Sequence, residues 1–138
     1  MNILKLELTH FGKFHLKTIT FTSGLNIVYG KNEAGKSTIH AFVRSMLFGI
    51  PDTEEGNERY SHYLPWETPH DFCGRMWIKK DDKVYRIERN FLRPQPTVRV
   101  FDDETDESLQ PAKQHLRQIL SGLTAVSYTH LTLPTKLE

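Results

Sequence analysis

The alternation of apolar and polar residues near the start of the chain predicts two short β-strands. Residues 3–9 alternate, and residues 14–21 form a second run of the same kind. The turn between them centres on Gly12, and so short a connection predicts an antiparallel hairpin. Residues 25–29 are instead almost continuously apolar, which is typical of a central strand buried on both faces. We therefore expect the hairpin to lie beside this central strand.

A helical spacing follows the central strand. Apolar residues at i, i+3, i+4, i+7 and i+8 predict a helix over residues 38–48, which Gly49 and Pro51 end. His40 and Arg44 fall off the apolar stripe and are expected to face solvent. The stripe consists of Ile39, Phe42, Val43, Met46 and Leu47.

Residues 49–71 are polar and contain three prolines and Gly56, so we predict a long loop. Loops of this length are usually functional or disordered. Tyr60, Tyr63 and Trp66 make it too aromatic for a plain linker. These rings either pack the loop against the domain or stack on a nucleic-acid base, and packing is the favoured interpretation.

The second half of the chain predicts antiparallel strands over residues 72–101. Two strand-like runs, 72–80 and 84–91, flank a turn at residues 81–82, and a third run covers 98–101. In the second run polar and apolar residues alternate, so one face of the sheet is expected to be polar.

The acidic residues 102–107 predict a loop, and a helix is predicted over residues 111–120. Pro111 suits a first helical position because its missing N–H is not needed there. The apolar face of this helix consists of Leu116, Ile119 and Leu120.

Between the central strand and the first helix lies a phosphate-binding sequence. Residues 30–38 read Gly-Lys-Asn-Glu-Ala-Gly-Lys-Ser-Thr and fit the pattern G-x-x-x-x-G-K-[ST]. Gly30 and Gly35 let the backbone fold tightly, so that its N–H groups form an anion-binding nest. Strand, glycine loop and helix is the context that separates this motif from a chance match.

The residue types predict a nucleoside triphosphate bound together with Mg²⁺. Lys36 is expected to reach the β- and γ-phosphates, and the Ser37 hydroxyl is the predicted Mg²⁺ ligand. The helix start adds free N–H groups and the positive end of its dipole. The predicted nucleotide-binding set is Gly30, Asn32, Glu33, Ala34, Gly35, Lys36, Ser37 and Thr38.

Composition indicates one soluble globular domain. The chain has 138 residues, of which 38% are hydrophobic and 25% charged. No apolar run approaches the roughly 18 residues that cross a membrane, and the N-terminus lacks a signal-peptide pattern. Cys73 is the single cysteine, so no intramolecular disulfide can form. We expect a cytoplasmic protein without membrane partners, and we expect Cys73 to be a small buried side chain rather than a nucleophile.

The net charge of +1 hides an uneven distribution. Residues 1–50 carry six Lys or Arg against two Asp or Glu, and residues 72–100 carry eight against three. Residues 101–107 carry five acids and no base. The basic segments either contact nucleic acid or form solvated strand faces, and solvated faces are favoured.

Several segments resemble the N-terminal part of YhaN-type ATPases. These belong with SbcC-like and other SMC-like proteins, which are relatives of the ABC ATPases. The resemblance covers about residues 1–125, and the string Asn-Glu-Ala-Gly-Lys-Ser-Thr is its most specific part. It implies the N-terminal half of an ABC/SMC-type P-loop head: an α/β fold with a mixed sheet, a P-loop helix and antiparallel strands. The matching segments are 11–14, 24–30, 32–38, 42–49, 63–67 and 85–89.

The resemblance also implies partners. In such proteins a C-terminal half brings the signature segment, the Walker B acid and the catalytic glutamate to the same head. Two heads sandwich two ATP molecules, and their cycle moves DNA or gates a nuclease partner of the SbcD type. By motif match residues 32 and 35–38 carry over as nucleotide contacts, and Asn32 is expected to help position the γ-phosphate or the attacking water.

This sequence departs from that pattern in its catalytic half. It has no apolar run ending in Asp-Glu, no heptad coiled coil and no Ser-Gly-Gly signature, residues 121–123 being the nearest. The glutamine-containing loop that completes the Mg²⁺ site in this family cannot be assigned from the sequence, and Gln95 and Gln110 are weak candidates for it. We therefore expect no catalytic residue here and a fragment that binds nucleotide, while ATP hydrolysis belongs to a longer parent acting in DNA repair or chromosome maintenance.

Other interpretations stay open. They are an ABC-type transport ATPase fragment, a small P-loop kinase, and a DNA-binding module that uses residues 72–100. A kinase would need a lid with arginines, and Arg59 and Arg75 cannot be assigned to one from the sequence.

Residues 126–135 read Val-Ser-Tyr-Thr-His-Leu-Thr-Leu-Pro-Thr. This string is identical to one reading frame of a transposon-end adapter used in sequencing libraries. We therefore expect residues 126–138 to be a non-native tail, with a genuine β-prone tail as the alternative.

Overall fold

The computed structural model describes residues 2–21 and 33–121, with the backbone alone at residues 33–36. Within these ranges the chain forms an antiparallel sheet and three helices, so the α/β class is confirmed. The elements are β1 (Asn2–Phe11), β2 (Phe14–Thr20), α1 (Glu33–Phe48), α2 (Glu54–Tyr63), β3 (Cys73–Lys80), β4 (Lys83–Asn90), β5 (Thr97–Asp102), β6 (Glu107–Ser108) and α3 (Ala112–Ile119).

The described sheet has the order β2-β1-β3-β4-β5-β6, and every neighbouring pair is antiparallel. Both predicted hairpins are confirmed. The first turns at Gly12, and the second turns at Asp81 and Asp82, which have positive φ angles of 53° and 65°. The central strand predicted at residues 25–29, and with it the mixed character of the sheet, lies outside the described residues.

One face of the sheet, the inner face, carries the apolar core. Leu6, Met76, Ile87 and Val100 lie opposite one another on four successive strands, and none exposes any surface. Helix α1 packs on this face, and all five residues of its predicted stripe are buried. A side chain at Gly74 would meet the ring of Phe42, so this glycine lets α1 approach the sheet.

Helix α1 begins at Glu33, five residues before the predicted start at Thr38. Alanine and lysine are strong helix formers, and an acidic residue near a helix N-terminus interacts favourably with the dipole. These preferences outweigh the cost of Gly35. His40 is exposed as predicted, whereas the side chain of Arg44 is 40% exposed and lies 3.5 Å from a carboxylate oxygen of Glu55.

The prediction of one long loop over residues 49–71 is wrong, because α2 lies within it. Thr53 caps this helix: its hydroxyl accepts the N–H of Gly56 at 3.0 Å. Gly56 had suggested a break, but it is buried against the carbonyl of Pro51, where a side chain would collide. The glycine therefore serves packing rather than a turn.

Two of the three aromatic residues of this segment pack against the domain, as predicted. Tyr63 stacks on Phe11 with the ring centroids 5.1 Å apart, and Tyr60 meets Phe72 edge-on at 5.1 Å. The packing prediction is wrong for Trp66, which is 85% exposed.

The C-terminal elements differ from the prediction at their ends and by the short strand β6, which was not predicted. The acidic loop is shorter than residues 102–107, since Asp102 ends β5 and Glu107 begins β6. Pro111 is the N-cap of α3 rather than its first helical residue. The apolar residues predicted for one face of α3 are all buried. No helix in ranges 2–21 and 33–121 is long and apolar enough to cross a membrane.

Candidate nucleotide site

The phosphate-binding sequence leads into α1, but the helix begins at Glu33, inside the motif, so the prediction of a loop is wrong over residues 33–36. Gly30 and Asn32 lie outside the described residues. Residues 33–36 form the first turn of α1, so the backbone of Glu33, Ala34, Gly35 and Lys36 is helical. Ser37 and Thr38 follow in the helix, with Ser37 exposed and Thr38 half-buried.

This arrangement fits a magnesium-bound phosphate. The first turn of a helix carries N–H groups without acceptors in the helix and the positive end of the dipole. The exposed hydroxyl of Ser37 is an oxygen ligand of the kind that Mg²⁺ prefers. Among the described residues no group of three or more His, Cys, Asp or Glu could hold a metal.

The far end of α1 is tied to the sheet by Arg89. Its Nε donates to the carbonyl of Met46 at 2.7 Å, and its Nη2 lies 3.4 Å from the carbonyl of Leu47. The last carbonyls of a helix have no partner within the helix, so the guanidinium caps α1. Burial lowers the pKa of Arg89 to about 10. No local sequence signal indicated this role, because the two partners lie more than forty residues from Arg89.

Helix α2 is fastened to the side of α1. Nη1 of Arg59 donates to Oγ of Ser45 at 3.0 Å, and Nη2 donates to Glu55 at 3.2 Å. The Arg59 side chain is only 6% exposed, and burial lowers its pKa. Arg59 is therefore a structural link between the two helices that follow the loop.

The β1–β2 turn meets the start of α1 and the end of α2 at one point. The N–H of Gly12 donates to the carbonyl of Tyr63 at 2.7 Å. Gly12 has a φ of +60°, and a Cβ there would lie 3.2 Å from Cδ1 of Tyr63 and 3.7 Å from Cγ2 of Thr38. The turn is thus directly beside the last residue of the phosphate-binding motif. The sequence analysis did not predict that Gly12, Thr38 and Tyr63 lie together, although all three belong to segments that carry the family resemblance.

The cations of residues 72–100 are mostly engaged within the fold. Arg75 lies 3.0 Å from Glu7 and 4.0 Å from Glu88. Arg86 lies 2.8 Å from Glu88 and 2.9 Å from Asp103, and it also pairs with Asp106.

Other cations of the same segment bind main-chain or neutral groups. Nζ of Lys80 donates to the carbonyls of Gln118 and Ile119 at 2.9 and 2.8 Å, which caps α3. Arg93 donates to the Asn57 side chain at 2.7 Å and lies over the ring of Tyr60. A basic segment in the sequence is therefore not a free basic surface in the fold.

Cys73 is half-buried rather than fully buried. Burial is the largest cause that raises the pKa of its thiol, and the carboxylates of Asp71 and Glu7 add to it. Since the thiolate is the nucleophilic form, this environment agrees with the prediction that Cys73 is not a nucleophile.

Comparison with known proteins agrees with the nucleotide-binding interpretation of residues 30–38. The AAA domain family matches residues 1–131. The uncharacterized protein YhaN of Bacillus subtilis (strain 168) is 43% identical over 56 residues, which are 40% of this chain and 6% of that protein. The chain thus spans a small fraction of the length of this relative. Because the family model covers residues 1–131, the chain belongs to the AAA domain family.

Proposed function

We propose that this chain binds Mg²⁺-ATP through residues 30–38, as the N-terminal part of an SMC-like ATPase head. The observation that carries the proposal is a complete phosphate-binding motif that runs into a helix whose stripe is buried on a sheet. Ser37, which follows the first turn of that helix, is exposed.

Each residue has a separate task in the proposed site. Lys36 would neutralise charge on the β- and γ-phosphates, and Ser37 would hold Mg²⁺. Bound Mg²⁺ supplies positive charge that stabilises the phosphate oxygens. The cap at Arg89 and the link from Arg59 to Ser45 keep α1 in a fixed direction, with Thr38 beside the hairpin turn at Gly12.

ATP hydrolysis is proposed for a longer parent. Phosphoryl transfer needs a positioned water and further charges around the γ-phosphate. The family resemblance assigns these groups to a C-terminal half of the head, and it supports a head–head dimer, DNA and a nuclease as partners. A role of the parent in DNA repair or chromosome maintenance rests on that resemblance.

The test is ATP binding by the full chain, measured by isothermal titration calorimetry with Mg²⁺. We expect Lys36→Ala to abolish binding, while Lys17→Ala, on an exposed position of β2, leaves it unchanged. Equal affinity in Lys36→Ala would remove the assignment of the loop. A brisk ATPase rate that Lys36→Ala eliminates would show that the chain holds a complete site.

A DNA-binding module built on residues 72–100 is the less favoured proposal, because Arg75 and Arg86 are paired with carboxylates. The same pairing argues against Arg75 in a kinase lid, and Arg59 is buried against Ser45. Binding to duplex DNA without nucleotide, weakening steeply with added salt, would restore the DNA proposal.

A further inference from the structure

Two histidines face each other across the first hairpin. His10 in β1 and His15 in β2 are direct partners in the antiparallel register. Their Nδ1 atoms are 3.2 Å apart, and their rings meet edge-on with centroids 5.4 Å apart. His15 is exposed and His10 is half-buried, so a small solute can reach the pair.

The separation of the two nitrogens matches that of a chelating pair. Zinc binds histidine nitrogen at roughly 2.0–2.1 Å, so two nitrogens in a tetrahedral site lie about 3.3–3.4 Å apart. Imidazole also suits Ni²⁺ and Cu²⁺. A single N–H···N hydrogen bond between neutral rings would give a similar distance, and only the metal-binding interpretation predicts a response to added metal.

The hairpin holds the pair in place before any ligand binds. The same β1–β2 register holds from Lys5 opposite Thr20 to Phe11 opposite Phe14, and only the pair between Thr9 and Leu16 is missing from it. Because directly opposed side chains in an antiparallel pair have their Cβ atoms about 4.5–5.5 Å apart, little ordering is needed for both rings to reach one ion.

The neighbouring ligand types do not add a third protein donor. No group of three or more His, Cys, Asp or Glu in the described part of the chain could hold a metal. Cys73 lies opposite His10 on β3, but burial and nearby carboxylates raise the pKa of its thiol. The Glu7 carboxylate is bound by Arg75 and by the hydroxyl of Thr9.

We propose that His10 and His15 form a two-histidine site for a divalent transition metal such as Zn²⁺, with water completing the coordination. The site is separate from the proposed nucleotide site. Metal bound there would link β1 to β2 and so stabilise the hairpin whose turn contacts Thr38 and Tyr63.

The test is Zn²⁺ binding by the tag-free full chain near neutral pH, measured by calorimetry in a non-chelating buffer without nucleotide. We expect one Zn²⁺ per chain, with affinity at least about tenfold lower in His10→Gln and in His15→Gln. Two controls should keep the wild-type affinity: His70→Gln, an exposed histidine outside the hairpin, and Cys73→Ser. Undiminished binding in His15→Gln, or its loss in Cys73→Ser, would overturn the proposal.

A second measurement does not depend on the folding of a variant. In wild-type protein labelled with ¹⁵N, Zn²⁺ should shift the Nδ1 resonances of His10 and His15 together. Saturation with Zn²⁺ that leaves both resonances unmoved would rule out the site. Neither result depends on whether residues 30–38 bind ATP.

Discussion

The two faces of the sheet are stabilised by different interactions, although the same strands form both. On the inner face the row Met76, Ile87 and Val100 is completely buried. One residue along, the row on the outer face is Trp77, Arg86 and Phe101. There the Arg86 guanidinium lies 4.3 Å from the centre of the Phe101 ring and pairs with three carboxylates.

This difference between the faces shows that they contribute to different properties. The inner face contributes to the free energy of unfolding, and the outer face contributes to the register of strand pairing. Burying a large apolar side chain contributes roughly 1.5–3 kcal/mol, whereas an exposed ion pair contributes about 0–1 kcal/mol. A slip of β4 by one residue would place Arg86 and Glu88 in the core, at a cost that no pairing on the surface could offset. The inner face therefore supplies most of the folding free energy, and the outer face penalises the wrong pairing.

The largest expected effect tests the inner face. The Phe42 ring is fully buried, stands over Gly74 and meets Phe11 edge-on with centroids 5.1 Å apart. Phe42→Ala should lower the free energy of unfolding by about 3–5 kcal/mol in urea denaturation, because it leaves a cavity between α1 and the sheet. Lys79→Ala, exposed on the outer face, should cost less than about 0.5 kcal/mol. If the free energy of unfolding fell equally in the two variants, the proposed difference between the two faces would be wrong.

The next effect tests the outer face. Arg86→Met should lower the free energy of unfolding by about 1–3 kcal/mol at low ionic strength, since it leaves partly buried carboxylates without their cation. The loss should shrink as salt is added, whereas the loss in Phe42→Ala should not. Arg99→Met is the matched control, because Arg99 stacks on Phe101 but makes no ion pair within the described residues. If the decrease in the free energy of unfolding in Arg86→Met did not depend on salt concentration, packing rather than charge would stabilise this row.

The smallest effect concerns Asp102, the carboxylate at the end of β5, opposite Tyr85. The hydrogen bond from Lys83 at 3.1 Å is the main cause that lowers its pKa below 3.8, and N–H groups of the following turn add to it. Ionised Asp102 thus contributes stability that is present above its ordinary pKa and is lost as pH falls below it. The difference in melting temperature between wild type and Asp102→Asn should be present near neutral pH and vanish in strong acid. A difference that persists unchanged in acid would show that the charge does not matter.

Local sequence patterns predicted most of the fold, because the strands and the helices α1 and α3 have apolar residues at regular spacing. They failed for α2, where Gly56 looked like a helix breaker. The reason for that glycine is its contact with the carbonyl of Pro51, which exists only once the chain has folded back on itself. A signal was nevertheless present: Thr53 followed by two acidic residues is a typical helix start.

The sequence predicted the chemistry of the candidate site, but it did not predict the contacts that hold α1 in place. The motif specified residues 30–38 from the sequence alone, and the structure shows their last six residues as the opening of α1. The contacts from Arg89, Arg59 and Tyr63 depend on residues far apart in the chain. Since no spacing rule connects a strand residue to the carbonyls that it will cap, these supports appear only in the folded structure.

The cap at Arg89 attaches the C-terminal end of α1 to strand β4. The helix has 16 residues and is therefore about 24 Å long, with the proposed phosphate cradle at one end and β4 attached at the other. If residues 30–38 hold a triphosphate as proposed, a tilt of β4 would also change the direction of α1 and so the position of its first turn relative to the phosphates.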